Sequence, residues 1–315
     1  MMKQFLGIFG FAAAAALVAG CGASPSGTAL PGSAMAGANG SWVSPDAKNQ
    51  TLIFVSSALT DQVYMYSYAS GKLLGTLAGF TLPFGLCADE AGDVWVVDDG
   101  ASKIDEYGHD GTPIATLTDS GEYPEGCAVD PVTGNLAVTN FSSNSGSGNV
   151  AIYTGAKGSP QTYSDPTIVN YRFCGFDSHG NLFVDGATAS STFVFTELPK
   201  GGHTFEDISL NHSIGWPGGV QWDGEHIAVG DTDASLVYRV DRKGVVKGVL
   251  SLGGSDYVNQ FAIAKSSGKK GKSAEIVAPS QDNNAVRLYD YPAGGSPSSS
   301  IGVEEPFGVA VSPAK

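Results

Sequence analysis

One phrase recurs along this chain and limits its fold more than any other feature. It consists of an aromatic residue or proline, a glycine, a short alternating strand, an acid, a glycine turn and a second apolar strand. The first copy is Pro83-Phe84-Gly85 running to Asp89, then Gly92-Asp93 and Val94-Trp95-Val96-Val97-Asp98. The second is Pro124-Glu125-Gly126 to Asp130, then Gly134-Asn135 and Leu136 to Asn140. The third is Arg172-Phe173-Cys174-Gly175-Phe176-Asp177, then Gly180-Asn181 and Leu182 to Asp185, and the fourth is Pro217-Gly218-Gly219 to Asp223, then Gly224-Glu225 and His226 to Asp231. A degraded fifth copy has its first strand at 258–264, a lysine-rich turn at 266–273 and its second strand at 274–278. A sixth begins at Pro306-Phe307-Gly308, and its second strand is expected near the other end, at 51–55.

The copies start at 83, 124, 172, 217, 258 and 306, so they are spaced 41 to 48 residues apart. That is the length of one four-stranded sheet in a radial array. Third strands are expected at 62–66, 102–107, 150–153, 192–197, 236–240 and 285–289, with glycine turns leading to fourth strands in most copies. An isolated four-stranded sheet leaves both faces wet, whereas six arranged around an axis cover one another. The expected fold is therefore all-β, a six-bladed β-propeller closed by pairing the C-terminal strand with N-terminal strands. The 43 glycines agree with many short strands and tight turns.

The phrase resembles the repeat of NHL-type and gluconolactonase-like propellers over most of residues 51–315. The resemblance implies that each first strand lines a central channel and that its entry loop shares a face with the end of the second strand. Phe84, Glu125, Phe173, Trp216 and Phe307 fall at entry positions; Asp98, Asp99, Asn140, Asp185, Asp231 and Asp233 fall at or just beyond second-strand ends. This mouth is a candidate site for a small molecule, a sugar or a protein ligand, with aromatic faces to stack and carboxylates to hold cations or hydroxyls. The same acids and prolines also suit plain Asx-turns and packing between blades. The resemblance implies an alternative as well, a metal-dependent lactonase-like hydrolase. Glu125, Asn140, Asp185 and Asp231 would then hold a divalent cation such as calcium. The surrounding sequence does not reproduce that family's metal-site motifs, so a binding or interaction module without a cofactor is the first expectation and the enzyme the second.

The start of the chain reads as an export signal. Lys3 precedes an apolar stretch, 5–18, of signal-peptide length and short for a membrane span. Val18-Ala19-Gly20-Cys21 resembles the bacterial lipobox, which implies lipidation at Cys21 and attachment to the membrane there. Residues 22–40 are almost all Gly, Ser, Ala, Pro and Thr, too polar and small to bury a core. The expected organisation is a lipoprotein signal peptide (1–20), a flexible tether (21–42) and the propeller (43–315). The expected location is the bacterial cell envelope, periplasmic or surface-exposed.

The full chain carries 17 Lys and Arg against 31 Asp and Glu; without Lys3 the net charge is −15. Such a chain is repelled by phosphate backbones, so nucleic acid is not an expected partner; a monomer is expected. There is no His-Glu-x-x-His and no Gly-x-Ser-x-Gly, and the five histidines are scattered. Cys87, Cys127 and Cys174 all lie on first strands. Cys87 sits two residues before its repeat acid and Cys127 three before its own, so with a period of two they point to opposite sides of their blades. They can face each other between adjacent blades as a disulfide, which an exported protein permits, or remain buried thiols.

Overall fold

A computed structural model describes residues 35–36, 41–265 and 274–314. The expected signal peptide, Cys21, most of the tether and the lysine-rich turn at 266–273 lie outside the described residues. The described strands form six antiparallel sheets in a six-bladed β-propeller. The split blade orders its strands, from the axis outward, as Pro306–Ser312, Leu52–Ser57, Gln62–Ser67 and Leu73–Ala78. Its outer edge is extended by Trp42–Val43 and then Met35–Ala36, which the sequence reading assigns to the tether or its end. The other blades begin with Pro83–Ala88, Glu122–Val129, Asn170–Phe176, Pro217–Trp222 and Ala262–Lys265. Among the described residues no helix is long and apolar enough to cross a membrane.

The ring closes by pairing across the chain. Ser312 lies opposite Leu52, Ala310 opposite Phe54 and Val309 opposite Val55. Leu52 to Val55 show why this strand needs a neighbour on each face. Leu52 and Phe54 pack against Leu86, Val94 and Val96 of the next blade, while Ile53 and Val55 pack against Val277, Val286 and Val309 on the other side. Each blade is thus apolar on both faces, and the core is divided into six clusters among the described residues, one per blade interface.

The recurring phrase has a physical reading. In five blades the pairing slips at its start, between Pro83 and Leu86, around Pro124 to Gly126, and between Tyr171 and Cys174, Pro217 and Val220, and Pro306 and Val309. These bulges bend each inner strand where it meets the axis. The phrase's glycine lies where neighbouring inner strands come closest. A Cβ on Gly85 would sit 2.5 Å from the Glu125 carbonyl oxygen, and one on Gly126 2.9 Å from that of Arg172. Gly85→Ala is therefore expected to push two backbones apart and cost about 1–3 kcal/mol. A lower urea midpoint at an unchanged slope would show it. The repeat acids close the following turns by accepting backbone N–H groups: Asp177 from His179 (2.8 Å) and Asn181 (3.0 Å), Asp223 from Glu225 (2.9 Å) and His226 (2.7 Å).

The fifth copy differs from its expectation, since its inner strand spans only Ala262–Lys265. Asn259 and Gln260 stand where the other copies carry the bulge, and the Gln260 amide takes on backbone partners. Its Oε1 accepts from Leu86 N (3.1 Å) and Val309 N (3.0 Å), and its Nε2 donates to Leu86 O (2.8 Å). One side chain thus ties the first strands of two other blades together.

Cys87 and Cys127 form a disulfide between adjacent inner strands, with Cα atoms 5.6 Å apart and 40 residues between them in sequence. Cys174 is free and buried. Closing a loop of this size is worth about 2–4 kcal/mol. Reduction is expected to lower the thermal midpoint, and thiol counting on unfolded, unreduced protein should find Cys174 as the single reactive thiol among these three.

Candidate ligand-binding mouth

The bulged ends of the inner strands and the ends of the second strands meet on one face, as the pairs Pro83 with Asp98 and Pro217 with Asp231 require. A cleft of about 310 Å³ opens there, lined by Phe84, Asp99, Tyr123, Glu125, Phe141, Ser142, Arg172 and Phe307. Phe84 stacks on Phe307 with ring centroids 4.3 Å apart, and Phe173 lies 6.4 Å from Phe307. Phe307 reaches both neighbours because the bulge at Pro306 turns its ring toward the axis rather than into a blade face.

At the floor, Arg172 and Glu125 form a buried ion pair. Arg172 also donates from Nη2 to Asn259 Oδ1 at 2.9 Å. Its guanidinium lies 5.3 Å from the centroid of the Phe173 ring, 5.8 Å from that of Phe141 and 5.9 Å from that of Trp216. Burial pushes the Glu125 carboxyl up to about 7; Arg172 pulls it back down and Asp99 adds to the rise. Asp99 is raised to about 6, first by burial and then by the charge on Asp98.

The second-strand acids are occupied elsewhere. Asp98 accepts from Thr81 N at 2.9 Å and lies 3.5 Å from Lys103 Nζ. Asp231 accepts from Gly215 N (2.9 Å), Trp216 N (3.5 Å) and Ala234 N (3.2 Å). Asp185 is fully buried and accepts from Phe173 N at 2.8 Å; desolvation raises its carboxyl well above the usual range. These acids hold the entry loops that present Phe84, Phe173 and Trp216. Asn140 donates to Asn149 Oδ1 (2.9 Å) and lies beside Asp119, away from the cleft lining.

The structure therefore brings Phe84, Glu125 and Phe307 into one cleft, with Phe173 and Trp216 backing its arginine. Arg172, Tyr123 and Phe141 line the same cleft and Asn259 bonds Arg172; none of the four is among the residues expected from the sequence. An arginine at an entry position, in a chain with so few basic residues, was the available signal. Glu125, Asn140, Asp185 and Asp231 do not fit a shared divalent cation. A guanidinium already faces Glu125, backbone amides hold Asp231 and Asp185, and Asn140 points to another cluster. Among the described residues, no group of three or more His, Cys, Asp or Glu side chains is placed to hold a metal ion.

No protein-family model matches this chain, and no curated protein matches it. Solved structures do. A chain of a nidogen/laminin complex is 16% identical with a TM-score of 0.67, over 84% of this chain and 99% of that one. A protein of unknown function from Bacteroides caccae is 11% identical with a TM-score of 0.60, again over 84% and 99%. Virginiamycin B lyase from Staphylococcus aureus is 13% identical with a TM-score of 0.57, over 87% of this chain and 86% of that one. At these identities the likeness is one of architecture, and it establishes the six-bladed propeller.

Proposed function

We propose that this chain is an exported, lipid-anchored envelope protein whose monomeric propeller binds a ligand at the mouth built around Arg172 and Glu125. Cys21 would carry the anchor and residues 22–40 the tether. The observation that carries the binding reading is the cleft itself. Phe84, Phe141, Phe307 and Tyr123 wall it, and its buried charges neutralise each other instead of activating a nucleophile. A planar or apolar ligand group would stack on the rings, with Asp99 meeting its polar edge. A volume of about 310 Å³ suits a small molecule or the tip of a sugar or peptide chain. No cofactor is required for this role.

A thermal-shift screen of the purified chain against envelope sugars, peptides and small amphiphiles tests the reading. A hit should lose about tenfold or more in affinity in the double variant Phe84→Ala, Phe141→Ala. Equal binding by that variant would move the site away from the mouth, and metal-dependent turnover of a lactone would replace binding by catalysis. Radiolabelled palmitate should label the expressed chain and fail to label Cys21→Ser.

A further inference from the structure

A second polar cluster lies at the junction of the second and third blades, apart from the cleft. Asp119 follows the strand Pro113–Thr118 and opens the turn that leads to Glu122, the first residue of the strand Glu122–Val129. Asn140 and Asn149 face each other across the strands Leu136–Ser143 and Gly146–Tyr153. The four residues form a ring, its last link made by the backbone: Asn140 lies beside Asp119, Asn140 Nδ2 donates to Asn149 Oδ1 at 2.9 Å, Asn149 lies beside Glu122, and Glu122 N donates to Asp119 O at 3.1 Å. Asp119 is 3% exposed and Asn140 0%.

Three oxygens of this ring, Asp119 Oδ2, Glu122 Oε2 and Asn140 Oδ1, are buried without a hydrogen-bond partner. A buried acceptor left unpaired costs about 1–3 kcal/mol, and more when it is charged. The nitrogen of the Asn140 amide already serves the ring, so its oxygen is the group left over. Among the described residues neither carboxylate has a basic partner, in contrast to Glu125 with Arg172. The geometry points to a calcium-binding site formed by Asp119, Glu122 and Asn140, riveting the second blade to the third. Carboxylate and amide oxygens in a mixed, irregular set suit calcium, which accepts several oxygen ligands without strict geometry. Burial raises both carboxyls, and Asp119 raises Glu122 further, as expected of an acid pair short of positive charge. A groove of about 330 Å³ lined by Ser143, Ser147, Thr162 and Asn149 borders the cluster at Asn149.

This inference does not depend on the mouth being a ligand site. The test uses the full chain after chelator treatment, with terbium as a calcium probe excited through tyrosine; Tyr153 donates to Thr118 O at 3.2 Å, next to Asp119, and would act as the antenna. The expected result is sensitised emission that saturates at one ion per chain and is displaced by calcium. Calcium affinity is expected at about 10⁻⁴–10⁻³ M, the range of extracellular modules. Asp119→Asn and Glu122→Gln should each weaken it about tenfold or more, since removing ligand charge lowers affinity. Emission that never saturates, as counter-ions on an acidic surface would give, overturns the proposal, and so does emission unchanged by both variants. A second reading needs the wild-type chain alone: calcium should raise its thermal midpoint and magnesium should raise it less, whereas no rise with calcium overturns the site.

Discussion

A chain lacking residues 304–315 is expected to lose about 5 kcal/mol or more, enough to abolish a cooperative thermal transition in a domain of ordinary stability. The deletion removes the inner strand of the split blade and with it every backbone bond between Pro306–Ser312 and Leu52–Ser57. It also takes Phe307, Val309 and Ala310 out of three separate apolar clusters, at about 1.5–3 kcal/mol for each large side chain. Gln260 loses Val309 as a donor, and Phe84 loses its stacking partner. Circular dichroism melts of the two chains compare them directly. A truncated chain that melted within about 2 °C of the full one would mean that the ring does not depend on this seam.

Arg172→Met is expected to show the second large effect, and the effect should depend on pH. Removing the guanidinium leaves Glu125 buried with no cation beside it, a loss of about 3–5 kcal/mol when the carboxylate is charged. The folded Glu125 titrates at about 7, above its ordinary 4.5. The native state therefore holds a proton there that the unfolded chain has released. The stability this group contributes is complete below 4.5 and is lost as pH rises through about 7. Without Arg172 the folded value climbs higher still, so the charge-dependent part of the variant's deficit should be near zero at pH 5 and reach about 1.4 kcal/mol at pH 8, growing by that amount for each further pH unit until Glu125 ionises. The small part that remains at pH 5 is lost packing against Phe141, Phe173 and Trp216. Urea unfolding at the two pH values separates these contributions. Equal deficits at both would assign Arg172 a packing role alone.

The architecture could be read from the sequence because one local device, proline or an aromatic followed by glycine, is used again at almost every inner strand. Each copy encodes a bulge and a close approach, and both are properties of a few neighbouring residues. The fifth copy was legible only in outline. There, Gln260 replaces a backbone device by a long-range one, bonding Leu86 from 174 residues away, and no spacing rule reveals such a partner. The mouth was half legible for the same reason. Position in the repeat grouped Phe84, Glu125 and Phe307, which line one cleft at the bulged strand ends. It also gathered Asp98, Asp185 and Asp231, whose spacing is equally regular but whose carboxylates turn back to amides of their own blades. Arg172 escaped because its blade carries Arg172-Phe173 across the bulge where other copies set one side chain and then a glycine, as in Phe84-Gly85 and Phe307-Gly308, so the register puts Arg172 and not Phe173 in the place of Phe84.

The split blade also has a consequence in time. The strand Leu52–Ser57 is made early, yet its inner neighbour is some 250 residues downstream. Until synthesis has passed Ser312, the nascent polypeptide carries an open β edge and no finished ring, and such distant pairing is slow to form. A polypeptide that stays unfinished until late synthesis remains threadable, as the export proposed for this chain would require.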